Sequence, residues 1–357
     1  IRVRGLHVSG GTQYAVVAYC WQDCEIDDIT VVGQGGGVWV HSLNSTNAGD
    51  RTPVDGSTPT ITGSQQMNGV QVHDVRMTGG GSYGGALQVE GEDTGFVAQL
   101  VASRISARDV AGVGVRLERV QDYRLTDVVV IGSGSTAIST FGTRRGKILG
   151  CHVNGATANG ITADSRATAA AAQTDITIAR CSVTGAANGI MTWAGQDLVI
   201  EDNDLDTITT VGIQASNSAN RVTVRGNRLR SVGQPTNLTS TVTGLVCEAN
   251  SFNAGGPGTL ATAANATAET VVATLPIPAN DAAPGIRYSF AVAGQASTTG
   301  TPTLTIRVRL GGVSGAVVAA FTGVVTSAGI AGRGWRISGD LHALTIGAAG
   351  TWAGGAL

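Results

Sequence analysis

Three carboxylates end short segments that alternate apolar and outward residues: ALQVE (86–90), GVRLE (114–118) and GITAD (160–164). Glycoside hydrolysis needs two carboxyls, about 5 Å apart for retention of configuration and about 6.5–9.5 Å apart for inversion. If the segments are strands stacked in register, Glu90 and Glu118 stand one rung apart, about 5 Å, and Glu118 and Asp164 two rungs apart, about 9.6 Å. Like charges that close raise the pKa of one partner, as a general acid requires. Glu118 is therefore the expected centre of a catalytic pair, with Glu90 or Asp164 as its partner.

The same segments carry binding chemistry. With the first apolar residue inward, the second outward column reads Trp39, Gln88, Arg116, Ser139, Thr162, Met191 and Gln214. The fourth reads His41, Glu90, Glu118, Phe141, Asp164, Trp193 and Ser216. In a chain with only 4% aromatics, Trp39, Phe141 and Trp193 gather on one exposed face, beside His41 and Arg116. Aromatic rings pack on sugar CH surfaces, while carboxylates and Arg bind hydroxyls or acidic sugars. The plain alternative is a solvated face with the carboxylates paired to Arg116, Arg119 or Arg166. A lyase would use His41, Arg116 or Arg166 as base, but no paired His/Arg cluster emerges within one rung.

The elements that would hold these columns come from a repeat. GKILGCHV (146–153), ITIARCSV (176–183), LVIEDNDL (198–205), VTVRGNRL (222–229), LVCEANSF (245–252) and YRLTDVVV (123–130) share one pattern. It is apolar, x, apolar, x, x, Asn or Cys or Val, x, apolar, with Gly146 the exception at the first site. IRVRGLHV (1–8), CEIDDITV (24–31), VQVHDVRM (70–77) and, loosely, SRISARDV (103–110) also fit. The third-position markers Val3, Ile26, Val72, Ile105, Leu125, Ile148, Ile178, Ile200, Val224 and Cys247 step by 23, 46, 33, 20, 23, 30, 22, 24 and 23. A base period near 23 with insertions is a solenoid, and period-two alternation with β-branched residues makes its unit β. Residues 1–254 are therefore expected to form a right-handed parallel β-helix of about ten rungs, a rod on the order of 50 Å long.

Several other features follow from this pattern. Insertions at about 42–69, 91–99 and 165–174 all leave just after the carboxylate-bearing strand, where they would wall a groove. The 52 glycines gain a use at rung corners, as before Val38, Val115, Ile161, Ile190 and Ile213. Cys151, Cys181, Asn203, Asn227 and Asn250 line one inward turn, where stacked amides can bond each other and the turn backbone. The five cysteines form neither a zinc nor a disulfide pattern, and no cofactor or metal is expected. Asp202, Asp204 and Asp206 begin like a calcium loop, but Thr207 and Ile213 stand where its Gly and Glu belong. His7, His73 and His152 read as surface residues without partners.

Composition removes other classes. The glycines keep no period of three, so collagen is excluded, and 42% apolar content with a net charge of −2 can bury a core. No basic stripe points to nucleic acid, and no apolar run spans a membrane. A second unit starts beyond a small-residue linker, 255–268: IRYSFAVAG (286–294) and PTLTIRVRL (302–310) alternate as long strands, and GWRISGDLHALTIG (334–347) reads as another strand pair or a bent long strand. Residues 269–357 are expected to form an antiparallel β-sandwich, jelly-roll-like, without a visible closing strand.

The rung pattern over residues 1–254, followed by ETVVATLPIPAN and TLTIRVRLGG, resembles bacteriophage tailspike and related pectate-lyase-like proteins. That resemblance implies a homotrimeric receptor-binding protein of the virion tail, binding and hydrolysing a bacterial surface polysaccharide in a groove on the β-helix. Ile1 stands in register with a rung, so an N-terminal region joining other tail proteins is expected before it. The resemblance leaves two alternatives, a non-enzymatic adhesive tail component and a secreted polysaccharide lyase or epimerase. It carries over no catalytic residue, because the family shares no single motif.

Overall fold

The computed structural model describes residues 2–19, 22–42, 67–81, 85–91, 96–164, 173–216 and 219–238, with parts of 242–253 and 287–356. Twenty-six strands, from Arg2–Ser9 to Ser251–Asn253, join in one continuous parallel sheet. Each strand pairs with the equivalent strand one coil away, as in Arg144–Leu149 against Thr174–Ala179 and His152–Ala156 against Ser182–Thr184. The sheet is thus wound into a parallel β-helix with three strands per coil. The marker column is in register from Val3 to Cys247, through Ile26, Val72, Leu125, Ile148, Ile178, Ile200 and Val224.

One marker moves. Val72 and Leu125 both face Ala102, not Ile105. Ile105 instead joins the turn column, since its carbonyl accepts from the N–H of Val129, as that of Val128 accepts from His152. Alanine is too small to announce a core position when a larger apolar residue lies three places on. Gly146, the exception to the pattern, also has a reason: a Cβ there would collide with the Tyr123 ring. The Tyr123 hydroxyl lies 3.2 Å from Thr143 Oγ1, and the buried Gln173 amide donates to Thr140 and Thr143 hydroxyls at 3.0 and 3.2 Å. This polar plug occupies the interior where the inward column of the third strand shrinks from Leu117 to Thr140 and Ala163.

The turn column behaves as its residue types require. Asn203, Asn227 and Asn250 are buried and stacked, each Oδ1 accepting from the previous coil: Cys181 N–H at 2.9 Å, Asn203 N–H at 3.0 Å and Asn227 N–H at 3.0 Å. Each Nδ2 donates to a strand carbonyl of that previous coil, those of Ile178, Ile200 and Val224. Buried amides satisfied on both sides cost little, whereas the same turn without them strands backbone groups. Cys151 and Cys181 are buried thiols outside any disulfide, and their Sγ atoms donate to strand carbonyls, that of Leu149 and those of Ile148 and Ala179.

The glycine expectation needs correcting. Those before Val38, Val115, Ile161, Ile190 and Ile213 do not have left-handed backbone; at Gly160 and Gly189 a Cβ would collide with Val183 and Leu205 of the coil interior. They are needed for space. The left-handed positions lie elsewhere and are divided almost evenly between glycine and other residues; Gly33, Gly79, Gly132, Gly155 and Gly185 are among them. One column, near the start of the first strand, includes Asp23, Gln99, Asp122, Arg145, Asp175, Asp197 and Arg221; another, at the bend that follows, includes Asp28, Asp74, Arg104, Asp127, Arg180 and Asp202. Asp tolerates this region better than most residues. Along both columns an Asp is repeatedly followed, one coil on, by an Arg that pairs with it or a Gly that makes room. Asp74–Arg104 and Asp122–Arg145 are two-point ion pairs, and a Cβ on Gly226 would collide with the Asp202 carboxylate.

Beyond residue 286 the chain forms small antiparallel sheets. Arg333–Ala343 pairs with Arg287–Ala296 on one side and with Trp352–Ala356 on the other, and Thr303–Leu310 pairs with Ala316–Val325. Arg333–Ala343 is one long strand, and a further strand, Trp352–Ala356, lies beyond it. The expected linker, 255–268, lies outside the described residues. Among the described residues no helix is long and apolar enough to cross a membrane.

Candidate functional site

The third strand of each coil carries the two outer columns, and the ladder aligns them residue by residue. Trp39 and His41 face Gln88 and Glu90, which face Arg116 and Glu118. Arg116 and Glu118 then face Ser139 and Phe141, followed by Thr162 and Asp164, Met191 and Trp193, and Gln214 and Ser216. The columns begin one coil earlier than the sequence reading found, with Val17 and Tyr19 of Tyr14–Tyr19 facing Trp39 and His41. YAVVAY is apolar at inward and outward positions alike, so no alternation marks it in the sequence.

Burial corrects the picture of an open face. Val38 and Val40 are fully buried inward, so Trp39 and His41 do point outward, yet His41 is only 5% exposed and Glu118 only 2%. Gln88, Ser139, Thr162, Met191 and Ser216 are also covered, while Trp39, Glu90, Arg116, Phe141, Asp164 and Trp193 are half-buried. Alternation gives the direction of a side chain, not what lies over it. The strands end at His41, Glu90 and Asp164 where the three insertions begin; most of those insertions, with Arg166, lies outside the described residues.

At one end of the face the side chains form a connected cluster. The Tyr14 and Trp39 rings lie 5.0 Å apart, Trp39 and His41 5.0 Å, and Tyr19 meets Trp39 edge-on at 5.7 Å. The Tyr14 hydroxyl donates to Gln88 Oε1 at 2.7 Å, which turns the Gln88 amide nitrogen toward Glu90 Oε2 at 3.1 Å. His41 Nε2 lies 4.0 Å from the same carboxylate. Burial, with the charge of Glu90 beside it, pushes the Tyr14 phenol up to about 12, so it remains a donor. Tyr14, Tyr19 and Gln88 are thus site residues that the sequence reading did not assign.

Glu118 sits between two guanidinium groups. Arg116 Nη2 donates to its Oε2 at 2.8 Å, and Arg119 Nη1 lies 3.6 Å from its Oε1 while also donating to the Gly91 carbonyl at 3.1 Å. Arg116 also lies over the Phe141 ring at 5.6 Å, and Arg144 over Phe96 at 4.8 Å. With both oxygens facing cations, Glu118 is better placed to attack or to stabilise positive charge than to hand over a proton. The pairing with Arg116 and Arg119 is the one the plain reading anticipated, and it leaves a catalytic role to experiment.

Polar strain gathers here too. The Trp39 indole N–H, the Arg116 Nε and the Thr162 hydroxyl, all in one outer column, are buried with no hydrogen-bond partner among the described residues. Native proteins leave few such atoms, because each costs about 1–3 kcal/mol. Elsewhere the acidic and histidine candidates are engaged. Asp204 pairs with Arg228 and Arg230, Asp206 with Arg230, and His73 shares a 2.7 Å hydrogen bond with Ser103, so it is not the partnerless residue expected.

Comparison with known proteins agrees at the level of fold. Residues 113–269 match the family described as right handed beta helix region. No curated protein matches the sequence. Among solved structures, the chain is similar to PfbA, a surface adhesin of Streptococcus pneumoniae, at 10% identity over 70% of this chain and 59% of that one, with a TM-score of 0.45. A second structure of that adhesin is covered over 64% of its length, so the chain spans less than two thirds of either. It is similar to the A-module of the Azotobacter vinelandii mannuronan C-5 epimerase AlgE4, at 10% identity over 72% and 89% of the two chains and a TM-score of 0.42. It is also similar to the receptor-binding protein of bacteriophage Det7, a podoviral tailspike in a myovirus, at 9% identity over 98% and 81% and a TM-score of 0.27. The chain is, by fold, a right-handed parallel β-helix with small antiparallel sheets near its C-terminus.

Proposed function

We propose that the chain is a tailspike-like receptor-binding protein that holds a bacterial surface polysaccharide along the outer face of its third strands and hydrolyses it there. The observation that carries this reading is the in-register ladder that places aromatic rings, the Tyr14–Gln88–Glu90 chain and the Glu118 carboxylate on one face. Adjacent parallel strands lie about 4.8 Å apart, so carboxyl groups held parallel at Glu90 and Glu118, which pair in the ladder, would have the spacing of a retaining pair. Glu118 would attack the anomeric carbon while Glu90 passes a proton to the departing oxygen. Water activated by Glu90 would then release the sugar from Glu118, returning both carboxyls to their starting state. Asp164, two coils from Glu118, is the inverting alternative, and Trp193 beside it and Phe141 between them would line the continuing groove.

A homotrimer attached to a virion tail accompanies this proposal, with other tail proteins as neighbours. The second reading, an adhesive protein without catalysis, is favoured by one observation, the burial of Glu118 in its ion pairs. Incubation with a panel of bacterial surface polysaccharides separates the two. New reducing ends, absent in Glu118→Gln and Glu90→Gln, support hydrolysis; tight binding without cleavage supports adhesion; unsaturated uronate absorbance supports a lyase. A monodisperse monomer in sedimentation would count against the spike.

A further inference from the structure

Resting on the proposed hydrolysis, we infer that Tyr14 is a positioning residue for Glu90: through Gln88 it keeps one carboxyl oxygen, Oε2, occupied and leaves Oε1 to carry the proton. Two nitrogens meet Oε2. The Tyr14 hydroxyl donates to Gln88 Oε1 at 2.7 Å, and the Gln88 amide donates from Nε2 to Glu90 Oε2 at 3.1 Å. His41 Nε2 lies 4.0 Å from the same oxygen. Among the described residues Glu90 Oε1 makes no hydrogen bond or ion pair, and 27% of the side chain remains exposed. A proton on Oε2 would meet the Gln88 N–H, a second donor, whereas a proton on Oε1 leaves the chain intact.

The arrangement depends on Tyr14 because an amide carries its acceptor on one side and its donors on the other, so fixing the oxygen aims the nitrogen. Tyr14 is suited to this. Its ring lies 5.0 Å from that of Trp39, and its phenol, pushed up to about 12 by burial with the charge of Glu90 beside it, stays protonated through the neutral range. Gln88 is itself covered, only 6% exposed. The other titratable and charged groups around Glu90 are His41 and Tyr19 in the coils before it and Glu118, with Arg116 and Arg119 on its two oxygens, in the coil after it. Of these only His41 comes within ion-pair reach of the Glu90 carboxyl.

The test compares the full chain with Tyr14→Phe, which keeps the ring and removes the hydroxyl, and with Gln88→Met, which removes the amide donor. A hydrogen bond to a carboxylate favours its ionised form, so its loss raises the pH at which the proton leaves. On the bacterial surface polysaccharide that the parent cleaves, the alkaline limb of the kcat/KM profile should move up by about half a pH unit in Tyr14→Phe and about one unit in Gln88→Met. At the parent's optimum kcat should fall about tenfold in Tyr14→Phe with KM within about twofold. A lower urea midpoint with the limb unmoved would make Tyr14 merely structural and overturn the inference. The ¹³C carboxyl resonance of Glu90, assigned by its loss in Glu90→Gln, gives the same reading without substrate: its titration should move up in Tyr14→Phe, and an unmoved titration would overturn the inference. A parent that cleaves no polysaccharide would overturn the proposed function, while the resonance still decides whether Tyr14 governs Glu90.

Discussion

Two columns of the same β-helix obey opposite rules. In the turn column, Asn203, Asn227 and Asn250 repeat one residue type, and each completes the hydrogen bonds of the coil before it. In the outer column of the third strand, Trp39, Gln88, Arg116, Ser139, Thr162 and Met191 follow one another with no repetition, and polar atoms of Trp39, Arg116 and Thr162 are buried without a partner among the described residues. A solenoid gains stability from every coil alike, so positions that serve stability converge on one solution. A ligand reads each coil differently, so positions that serve recognition diverge. The contrast is visible from coil to coil along one chain and needs no second sequence.

The sharpest way to break this contrast is to exchange the two kinds of effect. Glu90→Gln should lower cleavage by about 10²–10⁴-fold, the range for losing an acid–base group, with the urea midpoint unchanged. If stability falls instead, the outer column is structural after all. Asn227→Ala should do the reverse. It strands the Asn203 N–H and the Ile200 carbonyl in the interior, costing about 3–5 kcal/mol in a denaturation experiment, by the penalty for buried unsatisfied groups. Cleavage per folded molecule should stay at the parent level.

Alkali probes the interior. Burial pushes the Tyr123 phenol up to about 12, against an ordinary value near 10. The unfolded chain therefore releases this proton first, so the contribution is complete below pH 10 and is lost as pH rises from 10 to 12. The loss is about 2 kcal/mol, read as a falling urea midpoint, and Tyr123→Phe should flatten it. The smallest effect is expected at the exposed corners. Arg104, Arg145 and Arg221 hold the carboxyls of Asp74, Asp122 and Asp197 below the usual carboxylate range, through direct hydrogen bonds. Their help is present above pH 4 and fades as pH falls further, and Arg221→Ala at neutral pH should shift the midpoint barely beyond its error.

Much of this was legible because the coil repeats. The period, the core markers, the amide stack and the alignment of Glu90 with Glu118 all follow from residue types at fixed spacing. Ile105 misled because a larger apolar residue near Ala102 outweighed the true register. The corner columns stayed hidden because Asp, Arg and Gly share one backbone conformation there, and no single-residue pattern links them. Tyr14 and Tyr19 escaped because Val17 leaves YAVVAY apolar on both sides, with no alternation to mark its outward residues. Exposure was misjudged at His41 and Glu118, since alternation within a strand carries no information about what covers it.

The Asp-then-Arg and Asp-then-Gly order at the left-handed corners bears on how such a rod can lengthen. Because most of these Asp residues are answered by a different residue one coil later, a coil copied next to itself would set Asp against Asp at that corner, as Asp28 meets Asp74 and Asp175 meets Asp197. A spare copy would tolerate only a few such junctions. Growth by duplication would therefore favour blocks of two coils, an Asp and its answer together, over single turns. The heritable module of this fold would then be the seam between coils, and the 23-residue period would measure half of it.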